Sequence, residues 1–113
     1  GHDCGDHILA ALANIFEQGI RKQDLVGRWA GEEFILLLPD TDLAGGMNIA
    51  EKIRKDVENH AFQYEGKSLS LTLTLGLAEN DNRMDFYQCL KQADTALYSG
   101  KSRGRNQVVT SSP

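Results

Sequence analysis

The sequence predicts an α/β (α+β) domain in which helices pack on a mixed central sheet that includes one β-hairpin. Three observations carry this. Strand-like and helix-like runs interleave along the chain. Two strand runs are separated by only Ala30-Gly31-Glu32, the short Gly-containing link of an antiparallel hairpin. The longest apolar run, Phe34-Ile35-Leu36-Leu37-Leu38, has the length of a buried strand and falls far short of the ~20 residues of a membrane span.

The elements follow in order. Residues 6–18 predict a helix, with Ile8, Leu12, Ile15 and Phe16 on one face, Asp6 at its start and Gly19 at its stop. Residues 25–29 and 33–38 are the two hairpin strands. Pro39-Asp40-Thr41-Asp42 is a turn, with Thr41 or Asp42 capping the next helix. That helix spans 43–59, with Met47, Ile49, Ala50, Ile53 and Val57 as its apolar stripe. Glu51 with Lys55, and Arg54 with Glu58, are i,i+4 pairs on its wet face. Residues 62–64 form a short strand before a turn at Glu65-Gly66-Lys67. Residues 69–77 alternate apolar and small polar side chains, the pattern of a half-buried strand. A third helix covers 85–98, with Phe86, Cys89, Leu90, Ala93, Leu97 and Tyr98 inward, and 107–110 is a last strand.

Composition bounds the function. With 113 residues, 41% of them apolar and 25% charged, the chain is one globular domain spanning 1–113, neither fibrous nor disordered. Twelve basic against sixteen acidic residues give a net charge of −4, which disfavours a bulk DNA binder. Cys4 and Cys89 are too few for a disulfide framework and read as reduced thiols of a cytoplasmic domain. The chain starts at Gly1 without a Met, which reads as a segment cut from something longer.

Four groupings have chemical potential. At the hairpin tip, Glu32 and Glu33 follow Gly31: hard oxygen donors suited to Mg²⁺ shared with phosphates, or simply a polar turn. Lys101-Ser102-Arg103-Gly104-Arg105 puts three cations in five residues, enough to hold a triphosphate or to satisfy a helix C-terminus. It is no P-loop, because Thr95 stands where the earlier glycine belongs and the segment follows a helix. His2, Cys4 and His7 have no standard structural zinc spacing and read as loop and helix cap. Arg21 and Asp24 form a fork of donors beside a pair of acceptors, able to read two edges of a guanine or to sit in a solvated turn.

These groupings occur together, in this order, in one family. Arg28-Trp29-Ala30-Gly31-Glu32-Glu33-Phe34 resembles the signature of GGDEF domains, the diguanylate cyclases. Gly1-His2-x-x-Gly5-Asp6-x-x-Leu9 resembles the family's second motif, and Arg21-x-x-Asp24 stands where the family carries its product-inhibition motif. Leu75-Gly76-Leu77-Ala78 looks like the strand after the second helix. Ala93-Asp94-x-Ala96-Leu97-Tyr98 and Lys101-Ser102-x-Gly104-Arg105-Asn106 look like the closing helix and phosphate clamp. The resemblance runs from residue 1 to about 110.

The resemblance implies a nucleotidyl-cyclase or palm-like fold and a reaction. Two GTP molecules, one on each of two opposed domains, condense to cyclic di-GMP and two pyrophosphates. By resemblance Glu32 is a ligand of Mg²⁺ (or Mn²⁺), and Glu33 assists the attacking hydroxyl or the metal. Gly31 leaves room for the nucleotide, and Asp6 accepts from guanine N1 and N2. Lys101 and Arg105 hold the β- and γ-phosphates, and Arg21 and Asp24 bind the cyclic product. A homodimer and an upstream sensory domain are the implied partners, with no DNA and no membrane contact by this segment.

Two departures from the family pattern stand out. Ala30 replaces the first glycine of the signature. The family also has a strand and helix ahead of the Gly-His motif, bearing an Asp metal ligand, a Lys and an Asn that reads guanine. An Asp-x-Asp-x-Phe-Lys-x-x-Asn-Asp stretch before Gly1 would complete the site, and residues 1–113 by themselves are expected to be inactive. The alternative is a catalytically silent module that binds cyclic di-GMP or GTP and signals to an attached domain.

Overall fold

In a computed structural model, residues 2–30 and 33–111 are described. Their elements are α1 (His2–Gly19), β1 (Leu25–Ala30), β2 (Glu33–Leu37), α2 (Leu43–Glu58), β3 (Phe62–Tyr64), β4 (Lys67–Leu69), β5 (Leu75–Leu77), α3 (Phe86–Ser102) and β6 (Val108–Thr110). Helices and strands interleave as the sequence predicts. Among the described residues the expected single sheet is instead three two-stranded ladders: β1 with β2 antiparallel, β3 with β4 antiparallel and β5 with β6 parallel.

The core explains why α1 and α2 face one another. Leu12 and Phe16 of α1 meet Ile53 and Val57 of α2 and Phe62 of β3. Ile53, Val57 and Phe62 are at most 1% exposed, and burying each such side chain is worth about 1.5–3 kcal/mol. Phe34 of β2 closes the cluster, its ring 4.9 Å from that of Phe16 and edge-on to it. The hairpin is thereby fixed to α1 by its inner face.

Several expectations are corrected. α1 begins at His2, so the segment from His2 to Asp6 is helix rather than loop, and Asp6 lies inside the helix rather than capping it. The strand expected over 69–77 is laddered only at β4 and β5. Residues 70–74 keep the alternation, with Leu71 and Leu73 against the core and Ser70 and Thr72 exposed. They make no ladder because no strand lies beside them among the described residues. On α3, Phe86 is 41% and Tyr98 is 75% exposed, so neither points inward.

Cys89, Leu90, Ala93 and Leu97 are half-buried as expected, and the fully buried residues of α3 are the small Ala96 and Gly100; at Ala93 and Leu97 the strand comes in very close. The reason is Gly76 of β5. A Cβ there would stand 2.0 Å from the Ala93 carbonyl oxygen and 2.5 Å from the Leu97 nitrogen. Helix and strand are in backbone contact, which only glycine permits. Asp42 caps α2, its Oδ1 accepting from the Gly45 N–H at 2.8 Å. Asp85 and Gln88 form a capping box on α3.

Candidate functional site

The hairpin presents the first part of the site. Its register runs Leu25↔Leu37 to Arg28↔Phe34, then shifts so that Ala30 opposes Glu33. Trp29 is the extra residue of this bulge, and bulges re-aim side chains beside functional sites. Its ring lies 6.5 Å from that of Phe86, at the start of α3. Glu33 opens β2 as an exposed carboxylate. Gly31 and Glu32 lie outside the described residues. Glu33 therefore stands for the tip in what the structure describes. Among the described residues no three His, Cys, Asp or Glu side chains gather as a metal site, and the His2 side chain of the His2, Cys4 and His7 grouping lies outside the description.

Asp6 faces this hairpin. One open cavity of about 370 Å³ lies between α1 and β1–β2, with Asp6 and Glu17 on the helix side and Arg28 and Phe34 on the strand side. The packing of Phe16 on Phe34 sets the separation of these walls. A larger open groove of about 890 Å³ runs along α3 and β6. None of the sequence-predicted site residues that are described lines it, whereas Asp6 lines the smaller cavity.

Lys101 and Arg105 straddle the end of α3, both exposed. The Arg105 N–H donates to the Gly100 carbonyl at 2.9 Å, the long bond of a Schellman helix stop. Gly104 at the turning point has φ +113, and Arg105 and Asn106 follow at φ +63 and +48. Two consecutive non-glycine residues in the left-handed region need support, because each costs roughly 1–2 kcal/mol. Asn106 supplies it. Its Oδ1 accepts from Arg54 Nη1 at 2.8 Å, its side-chain N–H₂ donates to Glu58, and its backbone N–H donates to Thr74 Oγ1 at 3.0 Å.

Arg54 is the centre of this latch. Only 13% of its side chain is exposed. It holds Glu51 through two bonds of 2.9 and 3.2 Å and lies 3.6 Å from Glu58. The hydrogen bond from Arg54 holds the Glu51 carboxyl below the usual range, and Glu51 in turn raises the Arg54 guanidinium. The expected Arg54–Glu58 pair is present, with Arg54 mostly buried rather than wet, whereas for Glu51 the i,i+4 spacing points to Lys55. Instead Glu51 pairs with Arg54, because a guanidinium takes a carboxylate with two parallel bonds. Neither Arg54 nor Asn106 was singled out for a role. Their partnership spans 52 residues of sequence, and no local pattern announces it.

Arg21 and Asp24 form a closed pair. Asp24 Oδ2 accepts from the Arg21 backbone N–H at 2.8 Å and from Nε at 2.9 Å, and Oδ1 accepts from Nη2 at 2.8 Å. Hydrogen bonding from Arg21 holds the Asp24 carboxyl below the usual carboxylate range, against the opposing effect of burial. The structure thus brings Asp6 to the hairpin and Arg21 to Asp24. Among the described residues no hydrogen bond or ion pair joins Lys101 or Arg105 to the hairpin.

Comparison with known proteins gives a consistent family. Residues 1–107 match the family described as "Diguanylate cyclase, GGDEF domain". Diguanylate cyclase A of Treponema denticola is 37% identical over 112 residues, covering 98% of this chain and 30% of that protein. The structure of diguanylate cyclase SiaD in complex with its activator SiaC, from Pseudomonas aeruginosa, superimposes with a TM-score of 0.92 at 38% identity, over 97% of this chain and 42% of that one. The GGDEF domain of DgcB from Caulobacter crescentus, in complex with c-di-GMP, gives 0.92 at 25% identity, over 98% of this chain and 67% of that one. The chain spans less than a third of the curated relative it matches. From its matched motifs and its fold, the chain belongs to the GGDEF domain family.

Proposed function

We propose that this chain is the main part of a diguanylate cyclase domain, which condenses two GTP molecules into cyclic di-GMP with release of two pyrophosphates. The observation that carries the reading is the wall-to-wall arrangement of Asp6 on α1 and the signature hairpin across one cavity. Asp6, as an exposed carboxylate on that wall, offers acceptors for the N1 and N2 donors of guanine. Adenine has no such donor pair, so it would leave the carboxylate unsatisfied.

The other roles follow from chemistry. Lys101, in the last turn of α3, and Arg105, in the loop after it, are exposed cations on either side of a helix stop held in one shape, suited to the β- and γ-phosphates. Glu32 and Glu33 are adjacent hard-oxygen donors, which fit a small divalent cation shared with phosphates. Mg²⁺ or Mn²⁺ bound there would neutralise phosphate charge during the attack of one 3′-hydroxyl on the α-phosphate of the facing GTP. Glu33 is the residue proposed to receive or orient that hydroxyl. Because each domain holds one GTP, catalysis needs two copies face to face. Arg21 and Asp24 are proposed as the site where the cyclic product binds and inhibits, and a sensory domain upstream as the source of control. Among the described residues no helix is long and apolar enough to cross a membrane.

The test is product formation from GTP and Mg²⁺, in a protein where residues 1–113 follow the family's N-terminal strand and helix. Cyclic di-GMP is expected from GTP and no cyclic dinucleotide from ATP, with Glu33→Gln reducing the rate at least a hundredfold. Absence of product at concentrations that allow pairing would overturn the reading.

A further inference from the structure

The Arg21–Asp24 pair has a third member. Asp24 is the one buried charged residue among the described residues, with 0% of its side chain exposed. Both of its oxygens are committed to Arg21. Arg21 itself is 40% exposed in its side chain. Its Nη2 donates not only to Asp24 but also to the Pro39 carbonyl at 3.2 Å and to the Thr41 hydroxyl. The Thr41 hydroxyl donates onward to the same Pro39 carbonyl at 2.9 Å. Its hydrogen is thereby fixed, and its lone pairs are left facing the guanidinium. Of the five N–H donors of Arg21, those on Nε and Nη2 are spent. The two on Nη1 find no acceptor among the described residues.

Asp24 alone would fix one edge of the guanidinium. Pro39 and Thr41 take the outer N–H of Nη2 and so fix the direction in which Nη1 projects. We propose that Thr41, 20 residues further along the chain, is a positioning residue of the Arg21 site. Its hydroxyl holds the guanidinium so that the two Nη1 donors face a ligand with a pair of acceptors, the O6/N7 edge of guanine or a phosphate. This rests on the reading of Arg21 and Asp24 as the site of the cyclic product. Thr41 acts through Arg21 and need not touch the ligand.

The experiment is calorimetric titration of cyclic di-GMP into the chain and its variants Arg21→Ala, Thr41→Val and Thr41→Ser, with thermal unfolding measured for each. Thr41→Val keeps the shape and removes the hydroxyl. It is expected to weaken binding about fivefold to tenfold, because the ligand must then order a guanidinium that Thr41 no longer holds, with a fall in melting temperature of only a few degrees for the lost bond itself. Thr41→Ser restores the hydroxyl and is expected to bind within about twofold of the parent chain. Should Val disturb the start of α2, Thr41→Ala carries the same test. Parent-like binding by Thr41→Val, with binding lost in Arg21→Ala, overturns the role of Thr41 and leaves the site standing. Equal weakening by Val and Ser also overturns it, since the hydroxyl is then not the cause. Parent-like binding by Arg21→Ala, or no binding by the parent chain, overturns the site itself.

Discussion

Replacing Asn106 separates two contributions to the clamp loop, and the sign of the difference between two variants is the informative quantity. Asn106→Ala removes the acceptor for Arg54 Nη1, 2.8 Å away, and the donor to Glu58. It also places alanine at φ +48. Each lost bond to a charged partner is worth about 1 kcal/mol here, because Glu51 and water still satisfy Arg54. The left-handed backbone adds about 1 kcal/mol. The sum is about 2–3 kcal/mol, a fall in melting temperature on the order of 10 °C for a domain of this size. Asn106→Gly loses the same side-chain bonds but adopts positive φ freely. Glycine should therefore be less harmful than alanine by about 1 kcal/mol, the reverse of its usual rank. Thermal unfolding by circular dichroism reads both. If glycine proves as destabilising as alanine, the left-handed cost is not real. If neither shifts the melting point, the Arg54–Asn106 latch does not hold the loop.

Other outcomes follow from the packing and the ion pairs. Gly76→Ala should destabilise the domain by more than about 3 kcal/mol, since the methyl meets backbone atoms of α3 at 2.0 and 2.5 Å; a near-normal urea midpoint would contradict the contact. Asp24 has a carboxyl held low by Arg21. Its contribution should be full above the ordinary aspartate value of about 4 and should fade as pH falls below that value through the depressed folded one. Acid titration of stability in the parent chain against Asp24→Asn tests this, and parallel curves below pH 4 would refute it. The Cys89 thiol is pushed up by burial, so it should alkylate more slowly at pH 8 in the folded chain than in the urea-unfolded chain. Equal rates, read by mass spectrometry, would contradict that.

Much of the fold was legible because periodicity survives in single elements. The stripe of Met47, Ala50, Ile53 and Val57 located α2 to within a residue. The short link at 30–32 announced the hairpin. What misled was width. An apolar stripe on α3 shows which face is inward but not how closely the strand approaches. Gly76 brings the strand against Ala93 and Leu97, Gly100 lies against Thr74 and Val109, and Phe86 and Tyr98 are left outside. The strand over 70–74 was legible in its side chains, yet a ladder is a property of two strands and not of one pattern.

The candidate site was legible where its parts are neighbours in sequence and illegible where they are not. Arg21 and Asp24 lie three residues apart and could be read as a unit. Thr41 joins them only because the hairpin returns the chain to its own base, where Leu25 pairs with Leu37. Asn106 stands in a recognisable motif, but its role depends on Arg54, whose pairing with Glu58 one turn away is legible in the sequence and whose bond to Asn106 is not. Side chains that orient other side chains carry no periodic signature of their own.

A domain that joins nucleotides and one that hydrolyses them leave different phosphorus products. Phosphorus products formed from GTP and Mg²⁺ by residues 1–113 placed after the family's N-terminal strand and helix can be separated and counted. Cyclic di-GMP and pyrophosphate are expected in a one-to-two ratio, with no orthophosphate. GDP with orthophosphate, or pyrophosphate without the cyclic dinucleotide, would contradict it.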